Sequence, residues 1–184
     1  MTTLNVASSL KTDLRPKPVT GPKKVTAPTP VGLGQEKYTV KTTNNKDLTT
    51  TITKVDSSEN IVGTITLSRG ITLKTTKFRD QLLAFSEYIN GANIEVISGF
   101  RDQSKQNSLV SSGNPRAAKK SQHTVGEAAD LKIPNMTAKQ ASIRAYNSKL
   151  FNRVNLYTSS QAIHVDQRQG YSEYYAVDWV KQAP

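Results

Sequence analysis

The sequence predicts an α+β fold: a small mixed or antiparallel sheet with flanking helices, preceded by an extended N-terminal arm. Three observations lead there. Short runs rich in Thr, Ile and Val, bounded by turn residues, recur along the chain. Two longer segments place apolar residues at helical spacing. The two kinds of segment do not alternate in the β-α-β rhythm that builds a doubly wound parallel sheet.

Taken in order, residues 1–35 contain LRPKPVTGPKKVTAPTPVGLG, a basic Pro/Thr/Lys-rich stretch with too little apolar surface to offset the entropy of ordering it alone. It reads either as a flexible linker or as an arm that orders on a larger assembly. In residues 36–73 the text changes, from Tyr38 on, to YTVKTTNNKDLTTTITKVDSSENIVGTITLSRGITL, which reads as two or three short strands with turns at Asn44-Asn45 and Ser57-Ser58-Glu59-Asn60. They form either a separate module or an extension of the sheet in residues 74–184. In KFRDQLLAFSEYING the residues Phe78, Leu82, Leu83, Phe85 and Ile89 make the core stripe of a helix that ends at Asn90-Gly91. NIEVIS is the most strand-like segment, and SKQNSLVSSG suits a short helix stopped by Gly113. GEAADLKI is the next strand, with His123 in the loop before it; Thr137 caps a helix of about three turns over TAKQASIRAYNSKLF. RVNLYTSSQAIHVDQR reads as two strands around a Thr-Ser-Ser turn, followed by an aromatic tail with Tyr171, Tyr174, Tyr175 and Trp179.

The composition narrows the chemistry. With Cys 0 there is no disulfide framework and no thiolate metal site. The formal net charge of +11 favours a polyanionic neighbour: nucleic acid, an anionic membrane or an anionic bacterial wall. Aromatic residues make up only 7% and do not interleave with basic runs, which argues against nucleic acid as the main partner. The first residues show neither a basic n-region nor an apolar h-region, and no run approaches the roughly 20 apolar residues of a membrane span. The expectation is a soluble protein without a classical signal peptide.

The chain has only two histidines, and each is followed by an aspartate: His123 by Asp130, and His164 by Asp166. Imidazoles and carboxylates are what a cysteine-free zinc site uses, with a position left for water. The same residues also suit plain hydrogen-bonded His-Asp pairs. If His123 precedes a strand that contains Asp130, a turn at Gly126 folds both side chains toward one point. Period-two alternation puts Asp166 on the same strand face as His164.

Three motifs stand in order: SGFR at 98–101, SQHTVGEAADL at 121–131 and IHVDQR at 163–168. Together they resemble the zinc D-Ala-D-Ala carboxypeptidase family of metallopeptidases, which includes phage endolysins cutting L-alanyl-D-glutamate bonds and shares its fold with the hedgehog signalling domain. The family pattern Ser-x-His-x-x-Gly-x-Ala-x-Asp is matched at every fixed position of the middle motif; Phe100 replaces the usual tyrosine of the first. The resemblance implies Zn2+ on His123, Asp130 and His164. It implies that Arg101 faces the substrate carboxylate or the developing oxyanion, a task suited to a guanidinium. Ser121 matches the motif serine, a loop-orienting hydrogen bonder rather than a nucleophile.

One position departs from the pattern. The carboxylate that family members carry three residues before the last histidine, as general base, is here Gln161, and position 162 is alanine. Asp166 is the catalytic substitute, or else it supports His164 from behind. Glu127 lies near but suits a salt bridge with Arg101 or Lys132. The function that follows is a zinc-dependent peptidase cleaving peptidoglycan stem peptides, as carboxypeptidase or endopeptidase. The expected setting is a phage virion or a lysis enzyme released to the bacterial wall, with the arm contacting other virion proteins. The alternative is an inactive zinc-bearing module that binds the wall or builds the virion.

Overall fold

The computed structural model describes residues 37–114, 117–157 and 161–168, together with the backbone of 173–175. The arm at 1–35, the Thr-Ser-Ser turn at 158–160, and Tyr171 and Trp179 of the aromatic tail lie outside the described residues. The described residues all fall in one compact unit. Its elements run β1 (Thr39–Asn44), β2 (Thr50–Val55), β3 (Ile61–Leu67), α1 (Thr76–Tyr88), β4 (Asn93–Ser98), α2 (Gln103–Ser111), α3 (Gln122–Val125), β5 (Ala128–Lys132), α4 (Ala138–Ser148), β6 (Arg153–Tyr157), β7 (Ala162–Asp166) and β8 (Glu173–Tyr175).

The strands make one 8-stranded mixed sheet in the order β1-β2-β3-β4-β5-β7-β6-β8, larger than the small sheet the sequence suggests. The enlargement comes from the N-terminal side: β1, β2 and β3 form an antiparallel meander, and β3 then pairs in parallel with β4. That parallel join runs through α1, so residues 36–73 extend the sheet rather than standing apart. β1 is exposed along its whole length, and its Thr- and Lys-rich sequence suits an outer strand.

α1 forms where the apolar spacing places it. Thr75 caps it, its Oγ accepting from the Phe78 N–H at 3.3 Å. Its buried stripe of Phe78, Leu82, Leu83 and Phe85 packs on the sheet, and Phe85 meets Phe151 edge-on at 5.4 Å between ring centroids. α4 starts with a capping box between Thr137 and Gln140 and buries Ala138, Ala141 and Ala145. These small residues let the helix backbone lie close to β6 and β7.

Alternation along β5, β7 and β6 separates two tasks. Ala129, Leu131, Ile163, Val165, Val154 and Leu156 face the helices and join the core. The opposite face carries Asp130, His164 and Asn155 in one cross-strand row, since Asp130 pairs with His164 and His164 with Asn155. Beside it runs a second row of Ala128, Asp166 and Arg153. A β-bulge between Val96 and Ser98 inserts Ile97, so Val96 stays in the core opposite Leu131 while Ser98 turns to the Asp130 row.

Because the Phe85 ring is wholly buried between helix and sheet, we expect Phe85→Ala to lower unfolding free energy by about 3–5 kcal/mol. Urea denaturation of chelator-treated protein checks this; a loss under about 1 kcal/mol would mean the ring is not central to the core.

Candidate metal centre

His123 sits on a single helical turn, α3, rather than in an open loop. Ser121 caps that turn, with its Oγ accepting from the His123 N–H at 3.3 Å, the loop-orienting part expected of the motif serine. Gly126 ends the turn at φ 85, and a Cβ there would stand 2.4 Å from Lys74 Cβ, so only glycine fits both the backbone and the space. The His123 ring is fixed from the neighbouring motif: its Nδ1 lies 2.7 Å from the Gly99 carbonyl, while the Arg101 N–H donates to the His123 carbonyl at 3.1 Å. A carbonyl only accepts, so Nδ1 carries the proton and Nε2 presents its lone pair. Gly99 is required as well, because a Cβ would fall 2.3 Å from the Thr72 carbonyl oxygen.

Asp130 and His164 arrive from the cross-strand row. His164 Nδ1 is 2.9 Å from Asp130 Oδ1, and its Nε2 is 3.0 Å from Asp166 Oδ2. His123 Nε2 lies 3.6 Å from the same Asp130 Oδ1. The ligand atoms of His123, Asp130 and His164 all fall within 4.8 Å of one another. Burial alone would raise the Asp130 carboxyl, but hydrogen bonds and charge from His123 and His164 outweigh it and hold the group well below the usual carboxylate range. Burial would likewise lower His164, yet its bonds to Asp130 and Asp166 raise it. Both ring nitrogens of His164 face carboxylate oxygens, so without a metal the site favours the protonated ring; a divalent cation at Nδ1 would take the proton's place there.

The donor set fits zinc: two imidazole nitrogens and one carboxylate converge, and both rings have their other nitrogen tied by an acceptor. Asp166 is fully buried and meets the His164 nitrogen that does not face Asp130. Its Oδ1 accepts from the Arg168 N–H at 3.0 Å, and Arg153 Nη1 lies 3.9 Å from Oδ2. Burial pushes the Asp166 carboxyl up, and the His164 bond and charge, with these two neighbours, bring it below its ordinary value.

Arg101 is braced within the site. Its Nη2 lies 3.2 Å from Asp130 Oδ2, its Nε and Nη2 reach Ser98 Oγ, and its Nη1 donates to Gln106 Oε1 at 3.3 Å. Gln106 is itself fully buried and donates to the Ala118 carbonyl. Arg101 thus pairs with Asp130, not Glu127, and Lys132 stands across from Glu95 in the sheet. Gln161 occupies the turn before β7, exposed and at φ 50. Arg101, the three candidate ligands, Asn155, Tyr157, Arg153 and Arg168 line a common cleft. Asn155 and Tyr157 were missed in the sequence, although the alternation of RVNLY puts them opposite Val154 and Leu156 once the β6–β7 register is known. Gln106 has no sequence signal, since its burial depends on Arg101 and Ala118.

A His-Asp-His cluster on the polar face of a mixed sheet is a donor set of the kind zinc hydrolases use. The family described as peptidoglycan L,D-endopeptidase MepK matches residues 73–170, more than half of the chain. The chain belongs to that family and is a zinc metallopeptidase of the D-Ala-D-Ala carboxypeptidase-like group. Searches among curated proteins and among solved structures returned no match.

We expect the purified chain to hold about one zinc and His123→Ala to lose it, as read by elemental analysis after dialysis. Asp166→Asn, which keeps the shape but not the charge behind His164, should weaken zinc about 10–100-fold in competition with a chelator. Unchanged affinity would remove Asp166 from the metal's support.

Proposed function

We propose that the chain cleaves stem peptides of bacterial peptidoglycan as a zinc endopeptidase. The observation that carries the reading is the His123-Asp130-His164 cluster at the wall of a cleft in a chain of this family. The activity for which the family is named favours endopeptidase over carboxypeptidase, and a net charge of +11 suits an anionic wall. The hedgehog-type architecture implied by the resemblance belongs to the same proposal.

His123, Asp130 and His164 would hold zinc, which would supply Lewis acidity for peptide hydrolysis. Asp166 keeps His164 in the tautomer that offers Nδ1, which suits a supporting part better than that of general base. Arg101, fixed by Ser98, Gln106 and Asp130, keeps its guanidinium beside the ligand carboxylate. There it offers positive charge to an oxyanion developing in the cleft.

A second reading, a wall-binding module with little or no catalysis, is favoured by Gln161 and by a cleft whose described lining contains no carboxylate besides Asp130. The two readings separate on zinc-loaded protein incubated with purified peptidoglycan. The enzyme reading expects new free amino groups, abolished by a chelator, and a rate that Gln161→Glu changes by less than about threefold. The module reading expects none, with a gain of about 100-fold or more over background in Gln161→Glu, the usual scale of a restored acid-base group.

We also propose a bacteriophage setting, in the particle or at lysis, resting on the basic composition and the reading of residues 1–35 as an assembly arm. Mass spectrometry of purified particles should find the chain; its confinement to the lysate would leave only the lysis part.

A further inference from the structure

The cleft beside the metal ligands contains Arg101, Arg153 and Arg168, and the charges of the first two are answered within the protein. Arg101 lies against Asp130 at 3.2 Å, and Arg153 against Asp166 at 3.9 Å. Arg168 differs. Its backbone N–H is fixed by Asp166 Oδ1 at 3.0 Å, which sets its place two residues beyond β7, yet its side-chain Nε is buried with no hydrogen-bond partner. Among the described residues no carboxylate stands within ion-pair distance of its guanidinium.

A buried donor on a permanently charged group is destabilising while unanswered. Arg168 also lines a neighbouring depression with Lys119 and Lys120, both exposed, so positive charge continues outward from the cleft wall. The chemistry that answers such a group is a carboxylate: its two oxygens match the parallel N–H donors of a guanidinium edge.

We infer that Arg168 binds a carboxylate of the peptide substrate and so selects acidic peptides over their amidated forms. The inference rests on the peptidase reading above, and deepens it by naming the residue that reads substrate charge. Arg101, already held by three side chains, is left to the reacting carbonyl. The carboxylate has two possible sources in one peptide, a carboxylate within the chain or the one at its C-terminus.

The test uses the zinc-loaded full chain and three synthetic stem peptides: the parent, one with its internal carboxylate converted to carboxamide, and one with its terminal carboxylate converted. Affinity is measured by calorimetry, and kcat/KM alongside it, for wild type, Arg168→Gln and Arg168→Lys. One of the two amidations should weaken wild-type binding about 10–100-fold, which identifies the source. Arg168→Gln should bind the parent peptide as weakly as wild type binds that amide, with no further loss on amidation and with zinc content unchanged. Arg168→Lys, which keeps charge without the fork and guards against misfolding of the glutamine variant, should fall between. Equal binding of all three peptides by wild type overturns the inference, as does an amidation penalty that persists in Arg168→Gln. Charge discrimination without hydrolysis would uphold Arg168 and remove the peptidase reading; hydrolysis without discrimination would do the reverse.

Discussion

The Asp130 carboxylate is the point on which the site converges. One of its oxygens faces His123 Nε2 and His164 Nδ1, while the other meets Arg101. A carboxylate largely withdrawn from water is tolerated only with such company, because removing its charge from water costs more than any single hydrogen bond returns. Each partner is in turn held by something else: His123 by the Gly99 carbonyl, His164 by Asp166, and Arg101 by Ser98 and Gln106. The result is a set of groups whose positions are fixed before any ligand arrives, which is what low-cost binding of a cation requires.

That convergence is a property of the sheet as much as of the motif residues. Asp130, His164 and Asn155 share a row only because β5, β7 and β6 are paired in one particular antiparallel register. A slip of one residue would send Asp130 into the apolar layer and Leu131 into the cleft. The core under α1 and α4 therefore enforces the site: Leu131, Ile163 and Val165 have nowhere else to go. Stability and chemistry are written on alternate residues of the same three strands.

Much of this was legible in the sequence, for identifiable reasons. Apolar spacing placed α1, the Thr137 cap placed α4, and strong β-formers placed β4 and the hairpin of β6 and β7. The His-Asp-His set was legible through a motif whose fixed positions each have a local geometric task, such as the left-handed Gly126. The extent of the sheet was not, because β3 joins β4 through a parallel pairing that no local pattern announces. Nor was α3, a single turn stabilised by the Ser121 cap and too short to show a period. The sequence left two parts open for Asp166, and the orientation of the His164 ring that bears on them is not a property of local sequence. Gln106, Asn155 and Arg168 carry ordinary polar letters; what distinguishes them is burial, which is a three-dimensional fact.

Ile97 has a consequence out of proportion to its bulk. It is the extra residue that lets Val96 stay with the core while Ser98 joins the polar row, so the sheet changes phase there by one half-period. Upstream of it, even-numbered positions of β4 are interior; immediately after it, an even-numbered position is catalytic-side. The protein is in effect two alternating patterns spliced out of step, and the arginine that reaches Asp130 hangs from the splice. Were the bulge absent and Ile97 taken into a regular strand, every motif letter would be intact and the Ser98 hydroxyl would still turn inward with Val96, away from the guanidinium it holds. A family motif such as SGFR can therefore be present in full while the spacing that gives it meaning lies one residue outside it.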